Sequence, residues 1–325
     1  MFRRACAVVL GLMLASVAFA QAPEPLRVKV FPGAQNVALW TGLARGTFLK
    51  HGVAVDLQFT QTSPELRDGL ASGAVDVAHA AADNAIAMVE VAKHDVVIVM
   101  GGDSSMNEFF VQPDIATLAD MRGKTLTVDA PNTAYALQGM KILKNAGVVP
   151  SDYKVKVTGG TFQRGKAMIE SKENAASTLN PPYSFEAATA GLKSMGRAVD
   201  LVGPYQASSA FAMRAWVEKN GPLLERYIAG YVEALRWATD PANREATTAL
   251  LADKLKLSPE LAAKTYAALV DPKFGATSDA KVDVEGLRNV LAIRAEFTGQ
   301  WGGVPPSPEK YLELGPYMRG VARIR

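Results

Sequence analysis

Residues 26–59, LRVKVFPGAQNVALWTGLARGTFLKHGVAVDLQF, decide the fold because they predict a strand, a helix and a second strand in succession. The apolar runs at 26–31 and 53–59 have the length of strands, and the helical stretch at 35–50 separates them. Short strands that alternate with helices of about ten to fifteen residues are typical of βαβ units, which build a mainly parallel sheet. We therefore predict an α/β protein.

The alternation restarts at Pro113, which predicts a second α/β unit inserted into the first. This unit runs to a strand predicted at 198–202, and the chain then returns in an extended stretch from Ser208. Beyond it the chain is almost wholly helical. The clearest helix is one-sided, because its apolar residues recur at intervals of one and four: Leu223, Leu224, Tyr227, Ile228, Tyr231, Val232 and Leu235.

The composition excludes several classes of function. At roughly 150 residues per domain, a chain of 325 residues corresponds to about two domains. The 35 basic and 32 acidic residues are too balanced for a protein that grips a nucleic acid backbone. One cysteine and three dispersed histidines form neither an internal disulfide nor a Cys/His metal cage. We predict no metal, no cofactor and no nucleic acid partner.

The first twenty residues have the three parts of a cleavable signal peptide. Arg3 and Arg4 are followed by an apolar run at 5–17, and small residues at 18–20 suit a signal peptidase. This run is shorter than the ~20 residues that span a bilayer, and no later segment approaches ~18 uninterrupted apolar residues. We therefore predict that residues 1–20 are removed and that the mature chain is exported to the periplasm.

Two apparent catalytic motifs are incomplete. Residues 160–167, GTFQRGKA, nearly spell a phosphate-binding loop, but Ala167 stands where a Ser or Thr would hold magnesium. The Ser-x-x-Lys matches at Ser151 and Ser307 lie in turns that contain proline and lack their partner motifs. Histidine, the commonest general base near neutral pH, is also scarce. We predict that the protein is not an enzyme.

Three stretches together resemble a known family. They are residues 42–57, with Phe48-Leu49-Lys50-His51-Gly52 before a strand; residues 70–78, LASGAVDVA; and residues 118–128, LADMRGKTLTV. Their order and spacing resemble periplasmic solute-binding proteins of ABC transporters with the type II fold. The most similar branch contains the nitrate, taurine and alkanesulfonate binders and the binders of thiamine pyrimidine precursors.

The resemblance implies a two-lobed receptor, each lobe a mainly parallel sheet flanked by helices, with a helical C-terminal part. Residues 21–112 would form the first part of lobe 1, residues 113–204 the inserted lobe 2, and residues 205–325 the second part of lobe 1. The lobes would close about the two crossings, as in other periplasmic binding proteins. The implied partners are a small-molecule solute and a cognate ABC permease in the inner membrane, and the implied state is a monomer.

The candidate ligand-binding residues follow strands, where helix N-termini present backbone N–H groups to a ligand. Four such junctions are predicted, after the strands that end near residues 31, 78, 128 and 179. An aromatic residue near the return crossing could stack on a flat solute. The predicted contacts are Gly33, Gln35, Asp83, Asn84, Asn132, Thr133, Asn180, Tyr183 and Tyr205.

Alternatives remain open for both site and function. Asp83, Asn132 and Asn180 could instead cap helices without touching a ligand. The solute could be a sulfonate, a nitrate-like or organic anion, or a heteroaromatic compound. Acidic residues near the cleft, such as Asp129 and Glu108, make a solute with a donor or amine at least as plausible as a pure anion. The alternative functions are a periplasmic sensory or scaffold domain and an enzyme on the same fold.

Overall fold

The structure, a computed structural model, describes residues 22–324. The predicted signal peptide at residues 1–20 lies outside the described residues. Within the described range the chain forms two five-stranded sheets, each flanked by helices, which confirms the predicted α/β class. We call each sheet with the helices packed on it a lobe. No helix in residues 22–324 combines the length and apolar composition of a membrane span.

The first sheet has the strand order β2-β1-β3-β10-β4. Strand β1 pairs in parallel with both β2 and β3, whereas β10 is antiparallel to β3 and β4. Between β4 and β10 the chain passes through the second lobe, and with β10 it returns to the first sheet. The strands are β1 Glu24–Val30, β2 Val53–Phe59, β3 Val77–Ala81, β4 Val96–Met100 and β10 Ser208–Met213.

The second sheet has the order β7-β6-β8-β5-β9, with β5 antiparallel to its neighbours. Its strands are β5 Glu108–Val111, β6 Thr125–Val128, β7 Lys154–Val157, β8 Ala176–Leu179 and β9 Lys193–Arg197. The boundary between residues 112 and 113 stays a prediction. Because β5 pairs with β8 and β9, the chain has already reached the second lobe at Glu108.

Thirteen helices of the described chain cover the sheets and form the C-terminal part. Proline or glycine marks several of their ends; for example, Gly46, with φ 68°, separates two helices within the single helix predicted at 35–50. The helices are α1 Val37–Ala44, α2 Thr47–Lys50, α3 Ser63–Ala71, α4 Asp83–Glu90, α5 Ala134–Asn145, α6 Thr161–Glu170, α7 Tyr183–Thr189, α8 Ala198–Val202, α9 Arg214–Thr239, α10 Arg244–Leu255, α11 Pro259–Leu269, α12 Val284–Thr298 and α13 Gly315–Ala322.

The longest helix, α9, buries the face that its sequence predicts. Its seven apolar residues from Leu223 to Leu235 are all buried, and most of them join the core with strands β1 and β4. Each buried large apolar side chain contributes roughly 1.5–3 kcal/mol relative to its exposed state. The helix also contacts α1 and α13, so it ties the N-terminal and C-terminal parts of the first lobe together.

A buried ion pair joins α4, which follows β3, to α12 in the C-terminal part. Arg294 donates from Nε to Asp83 Oδ1 at 2.6 Å and from Nη2 to Asp83 Oδ2 at 3.0 Å. The side chains are 1% and 2% exposed. Arg294 Nη2 also donates to the carbonyl oxygen of Asn132 in the second lobe, at 2.9 Å. The pair therefore bridges two helices of the first lobe and reaches the second.

We expect Asp83→Ala to lower the free energy of unfolding by about 3–5 kcal/mol, because it leaves the buried Arg294 guanidinium without its counter-charge. Chemical denaturation followed by circular dichroism measures the change. Glu260→Ala, which breaks the exposed pair between Glu260 and Lys264, is the matched control and should leave stability unchanged. Equal stability of the two variants would contradict a structural role for the Asp83 carboxylate.

Candidate functional site

A cavity lies between the two sheets, where the ends of β1 and β3 face the first turn of α6. Its enclosed volume is about 60 Å³, and the empty space including its opening to solvent is about 740 Å³. Polar and aromatic side chains make up most of its lining. The lining residues are Phe31, Pro32, Gln35, Gln61, Ser63, His79, Ala80, Ala81, Asn84, Asp103, Asp129, Ala134, Tyr135, Gly160, Thr161, Phe162, Gln163, Arg164, Asn180 and Ser208.

Three hydrogen bonds cross directly from one lobe to the other at this cavity. Ser63 Oγ, at the start of α3, donates to Asp129 Oδ2 at 2.8 Å. The amide of Gly160 donates to the carbonyl oxygen of Gln61 at 3.1 Å, and Gln163 Nε2 donates to Gln61 Oε1 at 2.5 Å. These bonds hold the lobes together over the space between them, so they can only form when the lobes are closed.

Two buried carboxylates face the cavity. Asp103 accepts hydrogen bonds from the Ser208 hydroxyl and, at 2.9 Å, from the Ser105 amide. Burial raises the pKa of Asp103 above its ordinary value, although those hydrogen bonds oppose the rise. Asp129 accepts from Ser63 and, at 2.5 Å, from the Thr133 hydroxyl. Neither carboxylate forms an ion pair with any residue between 22 and 324.

Among residues 22–324, Arg164 is the single arginine of the cavity wall, and it is only 2% exposed. Four of its hydrogen bonds go to neutral oxygens: the Ser177 and Thr161 hydroxyls and the carbonyls of Gly159 and Thr178, at 2.9 to 3.1 Å. Burial lowers the pKa of this guanidinium. Because a guanidinium has five N–H donors, one N–H of Arg164 is left for a ligand.

His79 contributes no positive charge to the wall. Its Nε2 lies 2.7 Å from the Tyr227 hydroxyl, and its ring stacks on Tyr231 with centroids 5.2 Å apart. Complete burial lowers the pKa of His79 to about 3, so the imidazole is neutral near pH 7. Phe31 and Phe162 add apolar surface from opposite lobes.

Amide side chains reach the cavity with oxygens that lack a hydrogen-bond partner. These are Gln35 Oε1, Gln163 Oε1 and Asn180 Oδ1. Asn180 is 7% exposed, and a buried polar oxygen without a partner is costly unless a ligand or water satisfies it. At Gly33, φ is 152° and an added Cβ would lie 2.2 Å from Gln35 Oε1. Glycine at this position therefore leaves room for the Gln35 amide.

Three of the nine residues predicted to bind ligand line the cavity. They are Gln35, which follows β1, Asn84 in α4, and Asn180, which follows β8. Each comes from a different strand-to-helix junction, and the fold brings all three together. Direct contact between these side chains and a ligand stays a prediction.

The other six predicted residues lie outside the cavity lining. Tyr205 is a core residue whose hydroxyl donates to the Ala134 carbonyl at 3.2 Å, and Tyr183 packs beside Phe162. Neither α4 nor α5 has a side-chain cap at its N-terminus, and of the residues predicted at these two junctions only Asn84 lines the cavity. The six predicted residues outside the lining are Gly33, Asp83, Asn132, Thr133, Tyr183 and Tyr205.

Several lining residues were absent from the predicted contacts, and glycines could have revealed some of them. Asp103 follows Gly101 and Gly102, where an added Cβ would lie 2.3 Å from the Lys281 carbonyl oxygen and 2.5 Å from Ser208 Oγ. Gly159 and Gly160 similarly precede Gln163. Paired glycines at the end of a strand, or one residue beyond it, therefore accompany two further loops that contribute lining residues.

The arrangement offers binding groups rather than a metal or nucleophilic centre. Within the part of the chain that the structure describes, no group of three His, Cys, Asp or Glu residues is placed to hold a metal ion. The cavity serines Ser63 and Ser208 donate to carboxylates, whereas His79 bonds to Tyr227. The hydroxyls are thus not paired with a histidine base.

Solved structures share this fold at low sequence identity. A ligand-binding component of an ABC-type import system from Staphylococcus aureus has a TM-score of 0.75 and 13% identity, covering 91% of this chain and 98% of the other. The periplasmic aliphatic sulphonate-binding protein SsuA from Escherichia coli has a TM-score of 0.71 and 19% identity, covering 90% and 92%. The periplasmic nitrate-binding protein NrtA from Synechocystis PCC 6803 has a TM-score of 0.75 and 13% identity, covering 94% and 90%.

These likenesses confirm the predicted two-lobed fold of periplasmic binding proteins. No curated protein matches the sequence. A family model described as NMT1/THI5 like matches residues 34–243, which include every strand from β2 to β10 and most of the residues that line the cavity. The match covers more than half of the chain, and the chain therefore belongs to the NMT1/THI5-like family.

Proposed function

We propose that the protein is the substrate-binding component of an ABC-type uptake system, which captures a small solute between its lobes and delivers it to a membrane permease. The cavity carries this proposal, because buried polar oxygens without partners converge there from both lobes. Such a space, apolar on part of its wall and polar at a few positions, is typical of small-molecule sites.

The family and the fold support the proposal. Ligand-binding and periplasmic binding proteins share the fold, and one of them is a component of an ABC-type import system. The signal sequence predicted at residues 1–20 would export the chain to the compartment where such receptors act. A monomer that meets a permease in the inner membrane is the arrangement that we propose.

A binding role also agrees better with the side chains than an enzymatic one. A general base needs hydrogen-bond reach to a reacting group and a pKa near the working pH. His79 has neither, because its pKa is about 3 and Tyr227 occupies its Nε2. Saturable binding without turnover is therefore the expected behaviour.

A thermal-shift screen of residues 21–325 tests the proposed function. The panel contains sulfonates, nitrate, small carboxylates, pyrimidines, aromatic acids and amines. A ligand at a thousand times its dissociation constant adds about 4 kcal/mol, which raises the melting temperature of a chain of this size by roughly 8 °C. The screen is repeated with protein that has been unfolded and refolded to release any bound solute. No shift across the panel for this refolded protein would contradict a receptor role.

Replacing Asn180 by alanine should weaken binding of the solute found by that screen about threefold to tenfold. The expected loss is that of one hydrogen bond, about 0.5–1.5 kcal/mol. Isothermal titration calorimetry measures the dissociation constant. Asn145→Ala is the control, because Asn145 lies in the same lobe, is exposed, and bonds to the Leu201 carbonyl away from the cavity. Equal affinities for the two variants would remove Asn180 from the site.

Replacing Ser63 by alanine should weaken binding about fivefold by destabilising the closed form. The substitution deletes the bond to Asp129 that joins the lobes, which is worth about 1 kcal/mol. Small-angle scattering of the ligand-free variant should also report a larger radius of gyration. Ser72→Ala, at the exposed end of the same helix, should alter neither quantity. A Ser63 variant that matches this control would show that the bond does not contribute to closure.

A further inference from the structure

The charges of the cavity wall sum to a negative value. Asp103 and Asp129 each face the space, whereas Arg164 is the single cationic side chain among the described lining residues and His79 is neutral. Arg164 and the half-buried Arg67 act electrostatically on Asp129. Asp103 has no comparable neighbour: no cation between residues 22 and 324 forms an ion pair with it.

Arg164 is poorly arranged to clamp an oxyanion. A carboxylate, sulfonate or nitrate is best held by two parallel N–H groups of a guanidinium. The oxygens of Ser177, Thr161, Gly159 and Thr178 occupy four of the five donors of Arg164. With one N–H left, Arg164 cannot form the bidentate pair.

Three amide oxygens of the lining residues lack a hydrogen-bond partner. Gln35 and Gln163 present unpaired Oε1 atoms from opposite lobes, and Asn180 presents its unpaired Oδ1. The Nε2 atoms of both glutamines already donate, to the Phe31 carbonyl and to Gln61. Those bonds each use one N–H of the amide, and the two side-chain oxygens have no hydrogen-bond partner of their own.

Resting on the proposed function, we propose that the cavity takes a small, flat organic cation or uncharged amine whose N–H groups donate to Asp103, Gln35, Gln163 and Asn180. Phe31 and Phe162 offer apolar faces from the two lobes, and a ring cation is attracted to such faces. The first turn of α6 has backbone N–H groups at Thr161 and Phe162 and accommodates one acceptor atom of the same ligand. A net anion would meet two carboxylates and three unpaired oxygens.

Matched probes of opposite charge test this inference. Benzamidinium and benzylammonium form the cationic arm, aniline the uncharged arm, and benzoate, benzenesulfonate and nitrate the anionic arm. Each is added at equal concentration and ionic strength to refolded protein, and melting temperature is recorded. We expect at least one cationic or uncharged amine to raise the melting temperature by roughly 5 °C, and no anion to do so.

Substitutions of single side chains test where the amine probe binds. Asp103→Asn should weaken binding of the amine probe at least tenfold, and Gln35→Leu, which alters no buried charge, should weaken it about threefold. Asp56→Asn, an exposed carboxylate on the edge strand β2, is the matched control and should leave affinity unchanged.

The outcomes separate this inference from the proposed function. Stabilisation by the anionic arm alone, or an Asp103→Asn variant that binds the amine as well as the control does, overturns the amine assignment and leaves the receptor role intact. If no probe of any arm raises the melting temperature, the amine assignment is overturned. If no solute of the broader screen raises it either, the receptor role is also contradicted.

Discussion

The buried pair between Asp83 and Arg294 is the interaction on which the site depends. It neutralises the Asp83 carboxylate at the start of α4, next to Asn84, which lines the cavity. The cation comes from α12, more than two hundred residues later, so a helix of the C-terminal part holds the start of α4 in place beside the cavity. The additional bond from Arg294 to the Asn132 carbonyl places the same pair at the junction of the lobes.

The other titratable side chains of the cleft are also held by specific neighbours. Arg164 is surrounded by neutral oxygens, His79 is kept neutral by burial, and Asp103 is held by a hydroxyl and an amide. Each of these side chains is thus held by hydrogen bonds from the protein itself, which favours a wall that is preorganised for a ligand. Closure then requires few direct bonds, and those at Ser63 and Gln61 lie at the edge of the ligand space.

The local pattern of the sequence was sufficient for the two-sheet class and for the buried face of α9, because strand and helix periods are local properties. The local pattern predicted the wrong element where strand pairing decides the structure. Residues 198–202 were predicted as a strand and form α8, since β9 at Lys193–Arg197 supplies the edge of the sheet instead. In the site, Gln35, Asn84 and Asn180 lie at predicted junctions that the fold brings together. Asp83 has the same kind of position, yet its partner is far along the chain and no local pattern indicates it.

The antiparallel strand β10 has a consequence for how the chain acquires its structure. β10 lies between β3 and β4, so the first sheet lacks one of its inner strands until residues 208–213 are available. All strands of the second sheet lie within residues 108–197, and that sheet can assemble without waiting for any later segment. Domains generally fold as units during synthesis. The inserted lobe is therefore positioned to mature before the lobe that surrounds it, and a receptor halted before residue 208 would hold a finished second lobe beside an incomplete first one.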